Sequence, residues 1–277
     1  MNIRRCLFYI AYVLVFIFCI APFFWLLVTS LKTNDKIYSL PISYLPFNPS
    51  LDAYKSIILD KPFLRYIFNS LLVSILTTSV CLFISVLAAY SIARLRLRYK
   101  GILQFSLLVA SIFPQIIFLV PLYELMSKLK LMNNPLGLLL PYVAFSLPLA
   151  VWVLVGFFKT IPKEIEEQAM VDGFSRLNIL CRIILPLSWP ALATSAILIF
   201  IGPFAWNEFL FSLSFMIKET SKTVPVGIAL LSGTSMYEIP WNRICAACVL
   251  TTLPLVIFVF IFQKKIISGL TRGAIKG

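Results

Sequence analysis

The residues able to do chemistry in this chain are few and they cluster. Glu164, Glu166 and Glu167 follow Pro162, and Asp172-Gly173 comes a few positions later. Trp206-Asn207-Glu208 stands in a long apolar run, and Cys245 and Cys248 form a C-x-x-C pair. Histidine is absent, which removes the usual general base, proton shuttle and nitrogen metal ligand. A C-x-x-C pair suits redox or zinc chemistry. Here it lies in an apolar segment with no second pair, so it reads as packing. Cys6, Cys19, Cys81 and Cys181 read likewise as small hydrophobes. No G-x-x-x-x-G-K-[ST] phosphate loop occurs, nor a nucleophile–base pair, a metal-ligand cluster or a dinucleotide-type glycine run. The chain is therefore expected not to be an enzyme and to hold no metal or cofactor.

The elements that must position these residues are apolar. The 277 residues are 60% hydrophobic and 13% charged, and mean hydropathy is +0.95. Soluble domains are about 45–50% apolar and about 25% charged, so this is an all-α polytopic membrane protein rather than a soluble or disordered chain. The net charge of +13 suits loops beside anionic lipid headgroups. The basic residues form no stripe, so nucleic acid is not expected as a partner.

Six apolar runs are long enough to cross a hydrocarbon core about 30 Å thick. They are Leu7–Leu31, Tyr66–Ala93, Ile102 to about Met126, Leu136–Phe158, about Ala191 to Met216, and about Ile244 to Phe262. The first follows Met-Asn-Ile-Arg-Arg but is too long for a signal peptide and lacks its cleavage pattern, so it is expected to be a retained anchor. Lys and Arg in flanking loops set orientation. The dense cluster Arg94, Arg96, Arg98 and Lys100 predicts that both termini are cytoplasmic. The outer loop 32–65 carries Pro41, Pro46, Pro49 and Pro62 and is expected to be mostly non-helical. Pro114, Pro148, Gly202-Pro203 and Pro254 fall near the middle of spans, where interrupted helices line cavities or are buried in protein.

The inner loop 159–190 is the most informative stretch. Pro162 suits a first helical turn, and the three glutamates sit where a helix dipole favours anions. Ile165 and Ala169 share a face at i, i+4. Gly173 fits a position just past the helix, where positive φ is needed. A second helix is expected from about Ser175, with Leu180, Ile183, Ile184 and Leu187 apolar, until Pro186 and Pro190 break it. A helix–turn–helix at the membrane face reads as a solvated amphipathic loop or as a docking knob, with small Ala169 and Gly173 admitting close approach.

Glu167-Gln168-Ala169, Gly173, Ile183 and Leu185-Pro186 match the E-A-A, three residues, G, nine residues, I-x-L-P pattern. The chain thereby resembles the permease subunits of binding-protein-dependent ABC importers. Gln168 departs from the usual alanine. Asp172-Gly173, the run Trp206-Asn207-Glu208-Phe209-Leu210, and the ending Ser268-Gly269-Leu270-Thr271-Arg272-Gly273-Ala274-Ile275-Lys276-Gly277 are similar to the carbohydrate branch, in particular its shorter, maltose-type second permease.

That resemblance implies a type I ABC importer permease fold in a bacterial or archaeal plasma membrane. Residues 1–65 would be an anchor helix and outer loop, 66–264 the permease core, and 265–277 a cytoplasmic tail. The implied partners are a second permease subunit in a heterodimer, two ATPase subunits carrying ATP and Mg, and an extracytoplasmic solute-binding protein. It implies ATPase docking by Glu167, Gln168, Ala169, Asp172 and Gly173. It also implies a tail reaching the ATPases through Gly269, Thr271 and Lys276, and a binding-protein contact at Gly233, Thr234 and Ser235.

Pathway candidates are Trp206, Asn207, Glu208 and Gln115. Trp206 could stack on a sugar face, and an intramembrane carboxylate should face the bundle interior or water. Alternatively, Trp206 and Asn207 fix helix packing and Glu208 lies near the outer interface. The expected cargo is a di- or oligosaccharide, with glycerol phosphate or another small polar solute as alternative. A lipid-processing membrane enzyme would need paired acids or a histidine–metal cluster. An ion-coupled secondary transporter would have to rely on Glu208 and Glu124.

Overall fold

The computed structural model describes residues 3–202, 204–231 and 239–274, with side chains described for 7–202, 204–231 and 239–261. Among the described residues the structure is helical, with no strand. The principal helices are α1 (Ile3–Ser30), α2 (Asp52–Asp60), α3 (Phe63–Arg94), α4 (Lys100–Ile112), α5 (Gln115–Lys128, opening with a 3₁₀ turn), α6 (Leu139–Thr160), α7 (Lys163–Val171), α8 (Arg176–Leu187), α9 (Trp189–Ile201), α10 (Leu210–Phe215), α11 (Val224–Ala229) and α12 (Trp241–Ala274).

Four continuous stretches are long and apolar enough to cross a membrane: Leu7–Ser30, Phe63–Arg94, Pro135–Thr160 and Trp241–Ile261. Two helix pairs are long and apolar enough when taken together but are sharply bent, α4 with α5 at 88° and α8 with α9 at 80°. Counting each bent pair as one span gives six, and helix is present in all six expected runs, the third and fifth of them interrupted. The third breaks at Phe113-Pro114, where both residues are extended, with ψ of 132° and 126°. Proline lacks an N–H and pushes its predecessor out of the helical region. The fifth was expected from about Ala191 to Met216, with Gly202-Pro203 as a mid-span interruption. Its helix begins at Trp189, stops at Ile201, immediately before that Gly-Pro pair, and resumes at Leu210. Pro148 and Pro254, also expected as interruptions, lie inside the continuous helices α6 and α12. The outer loop is less irregular than its prolines suggest, since it contains the nine-residue α2.

The chain divides into two compact units. The first comprises Met1–Leu64 and Gly227–Pro254. Within it the loop after α1 folds back on the helix end: the Ser30 hydroxyl meets the Tyr54 hydroxyl at 2.7 Å, and the Ser50 N–H donates to the Leu31 carbonyl at 2.8 Å. The Lys32 ammonium donates to the Ser43 carbonyl and lies 5.2 Å from the centre of the Trp25 ring.

The second unit comprises Arg65–Val226 and Leu255–Gly277. Its largest cluster joins Val86, Ala89 and Tyr90 of α3, Val151, Leu154 and Phe158 of α6, Ala169 of α7, and Ile179, Leu180 and Ile184 of α8. Lipid tails are as apolar as leucine, so close packing rather than water exclusion drives helices together here. Buried alanines fit that rule. Ala89, Ala150, Ala191, Ala193 and Ala196 are each no more than 5% exposed.

Candidate functional site

Helix α7 starts after Pro162, whose φ of −57° and ψ of 138° leave it just outside the first turn where it was expected. Glu164 and Glu166 occupy that turn. At the other end Gly173 adopts φ +84°. The Phe174 N–H donates to the Ala169 carbonyl at 3.0 Å, and the Gly173 N–H donates to the Met170 carbonyl at 3.1 Å. This is the paired 6→1 and 5→2 closure that satisfies the last carbonyls of a helix. Ser175 then caps α8, its side chain accepting from the Asn178 N–H at 3.3 Å. The tight helix–turn–helix follows from glycine at the one position that needs positive φ and serine at the next N-cap.

Two of the small and acidic residues lie on unexpected faces. Ala169 is 5% exposed and packs into the α3–α6–α8 cluster, so its size serves packing within the chain. Glu166 is buried, and its Oε1 lies 2.5 Å from Arg94 Nε at the end of α3. The Tyr90 hydroxyl donates to Glu166 Oε2 at 3.2 Å, and Arg94 Nη2 donates to the Ile161 carbonyl at 2.8 Å. Glu167, Gln168, Asp172 and Gly173 are exposed. Beside them lie Met170 at 45%, Val171 at 89% and Leu177 at 63% exposure. These apolar residues lie outside the matched pattern and were not singled out from sequence. Their signal was positional: each interrupts an otherwise polar surface at a helix end.

The second region is the break between α9 and α10. Asn207 Nδ2 donates to the Ile201 carbonyl at 2.6 Å, which satisfies an orphan acceptor at the end of α9. Glu208 does the converse. Its Oε1 accepts from the Phe211 N–H at 2.7 Å and its Oε2 from the Ser212 N–H at 3.1 Å, covering orphan donors at the start of α10. The Tyr142 hydroxyl of α6 also donates to Oε2, at 2.6 Å. Glu208 is 2% exposed, so it lies in the protein interior. Trp206 is likewise 2% exposed and stacks on Phe200 at 5.9 Å between centroids, while Phe200 stacks on Phe258 of α12 at 3.9 Å. Gly202 is required where α9 stops, because a Cβ there would stand 2.3 Å from the Leu198 carbonyl oxygen. Of the four pathway candidates, Asn207 is exposed and Gln115 is half-buried at the α4–α5 bend.

At the far end of α3 from Arg94, Asn69 Nδ2 donates to the carbonyls of Thr220 and Lys222 at 3.0 and 2.9 Å. The Tyr66 hydroxyl donates to Glu219. Asn133, at φ +59°, accepts the Lys218 N–H at 2.6 Å. The segment 216–223 is thus held to the bundle by side chains from two other elements.

Gly233, Thr234, Ser235 and Lys276 lie outside the described residues. Gly269 and Thr271 lie on the last turns of α12. Cys245 and Cys248 are free thiols on α12. Among the described residues no group of three or more His, Cys, Asp or Glu could hold a metal ion.

The chain is similar to several known proteins over nearly its whole length. It is 41% identical to the sulfoquinovosyl glycerol transport system permease protein SmoH of Agrobacterium fabrum, covering 92% of this chain and 88% of that one. It is 40% identical to the trehalose/maltose transport system permease protein MalG of Thermococcus litoralis, covering 99% and 98%. It is 36% identical to the inner membrane ABC transporter permease protein YcjP of Escherichia coli, covering 100% and 98%. Among solved structures, a bacterial ABC transporter involved in importing the acidic polysaccharide alginate has a chain of the same fold, with TM-score 0.76 and 22% identity over 95% of this chain and 98% of that one. Residues 81–272 match a family model that takes in the second part of α3, all of α4 to α11 and nearly all of α12. The chain belongs to the family of binding-protein-dependent transport system inner membrane components.

Proposed function

We propose that this chain forms half of the translocation pathway of an ABC importer for a sugar, with α7 and its turn as the seat of an ATPase subunit. The observation that carries the reading is the exposed face made by Met170, Val171 and Leu177 among Glu167, Gln168, Asp172 and Gly173. Its supporting face is tied to α3 by the buried Arg94–Glu166 pair and packed against α6 and α8. A force on α7 is therefore delivered to helices long enough to cross the membrane. The cargo class rests on the relatives named for sulfoquinovosyl glycerol and for trehalose and maltose.

In this assembly ATP and Mg bind on the ATPases, and a second permease completes the pathway. The solute-binding protein meets the outer face of the membrane, with Gly233, Thr234 and Ser235 as its contact. Residues 1–65 act as anchor and outer loop, 66–264 as the core, and the tail 265–277 reaches the ATPases through Gly269, Thr271 and Lys276. Both termini are cytoplasmic. Exposed Asn207 and half-buried Gln115 put polar groups at the two broken spans, where solute would pass.

The test is mass spectrometry of what co-purifies from gently solubilised native membranes, followed by ATP-driven uptake in vesicles. An ATPase, a second permease and a solute-binding protein are expected, and the recovered binding protein then identifies the sugar by direct titration. Recovery of the chain alone, under conditions that hold such assemblies together, overturns the reading.

A further inference from the structure

Helix α6 joins the two regions described above. One end runs into α7 through only Ile161 and Pro162, and the other carries Tyr142. From Tyr142 to Thr160 a helix rises about 27 Å at 1.5 Å per residue, so α6 is a rod reaching most of the way across a bilayer. Tyr142 is 1% exposed, and its hydroxyl donates to Glu208 Oε2. Glu208 in turn holds the first N–H groups of α10 through both of its oxygens. The carboxylate spans a gap between two elements that are not neighbours in sequence, at the point where the fifth span is interrupted.

We propose that the Tyr142–Glu208 contact is the far anchor of this rod. Through it, displacement of α7 and α6 reaches the broken fifth span, and Glu208 is a positioning residue for transport rather than a ligand for the solute. The proposal rests on the importer reading above.

Three observations support it. Glu208 is buried at 2% exposure and accepts from three donors. Trp206, beside it, is buried against Phe200 rather than presented to a solute. Asn207 holds the Ile201 carbonyl at the end of α9 and Glu208 holds the Phe211 and Ser212 N–H groups at the start of α10, so adjacent side chains tie both helix ends at the break. A joint of this kind transmits motion because packed elements have discrete arrangements rather than a continuum.

The experiment uses the complete transporter in vesicles, with Tyr142→Phe as the first variant and Glu208→Gln as the second. Tyr142→Phe keeps the buried ring and removes only the hydroxyl. Glu208→Gln leaves one accepting oxygen and turns an NH₂ toward donors. Both ATP hydrolysis stimulated by the loaded binding protein and solute uptake are measured against solute concentration. Coupling energies between sites correspond to about 5–150-fold effects, and uptake per ATP hydrolysed is expected to fall roughly tenfold in Tyr142→Phe. Hydrolysis should stay within about twofold and half-saturation should not move. A rise in the half-saturating solute concentration with maximal uptake unchanged assigns Glu208 to solute binding and overturns the proposal. Wild-type coupling in Tyr142→Phe overturns it as well. If Glu208→Gln fails to assemble, Tyr142→Phe alone decides. Absence of ATP-driven uptake in the wild-type assembly is a failure of the importer reading, and it is seen before any variant is made.

Discussion

Arg94 and Glu166 form a buried ion pair between the last residue of a membrane-length helix and the first turn of the helix that faces outward from the bundle end. Their Nε and Oε1 atoms are 2.5 Å apart, with side chains only 5% and 10% exposed. Tyr90 and the Ile161 carbonyl complete the set. Removing one partner of such a pair strands a buried charge and costs about 3–5 kcal/mol, whereas an apolar replacement of both is often neutral. Arg94→Ala and Glu166→Ala are each expected to lower thermal stability sharply in detergent and to weaken retention of the ATPase. Arg94→Met combined with Glu166→Leu is expected to recover most of the stability. Equal losses in single and double variants would show that the pair does not hold α7.

Gly173 is held at φ +84°, and a Cβ there would meet nothing within 4 Å. The cost of Gly173→Ala is therefore backbone strain alone, about 1–2 kcal/mol. Gly173→Asn is expected to cost less, since asparagine tolerates the left-handed region. Gly173→Asp adds a charge on the exposed face and is expected to reduce ATP-driven uptake with normal expression. Near-normal uptake in that variant would count against α7 as the docking element.

Val171 is 89% exposed and Leu177 63%. Burying such a side chain against a partner contributes about 1.5–3 kcal/mol. Val171→Glu and Leu177→Glu are each expected to weaken ATPase binding by roughly an order of magnitude or more, read by pull-down at graded ATPase concentration. Their thermal unfolding should be unchanged, because neither residue belongs to the buried cluster.

Asn133 holds both φ +59° and the acceptor for the Lys218 N–H. Asn133→Ala loses the acceptor and strains the backbone, for a local cost of about 1–3 kcal/mol. Faster hydrogen exchange or proteolysis across 216–223 is the expected outcome, with α7 unaffected. Asn133→Gly, which relieves the strain but not the lost bond, should fall between the two.

Much of the architecture was legible along the chain because its signals are local. Long apolar runs specify membrane-length helices through length alone, and Gly173 and Ser175 mark a helix end and the next beginning by their own conformational and capping preferences. The E-A-A-like run and the W-N-E-F-L run identified the family by residue type and spacing. Tertiary structure decided what each residue of those runs does. Glu166 and Glu167 are adjacent and chemically alike, yet one is buried on Arg94 and the other exposed, because partners distant in sequence choose between faces of one helix turn. Ala169 reads as a contact residue by its size, yet it is a packing residue because α3, α6 and α8 converge beneath it. Proline shows the same limit: Pro114 sits at a break while Pro148 and Pro254 are carried within helices. Its missing N–H makes interruption possible, and neighbouring helices decide whether it happens. Glu208 is the clearest case. A carboxylate in an apolar run announces that it must be satisfied, but only the folded chain, by bringing Tyr142 and the start of α10 to it, decided by what.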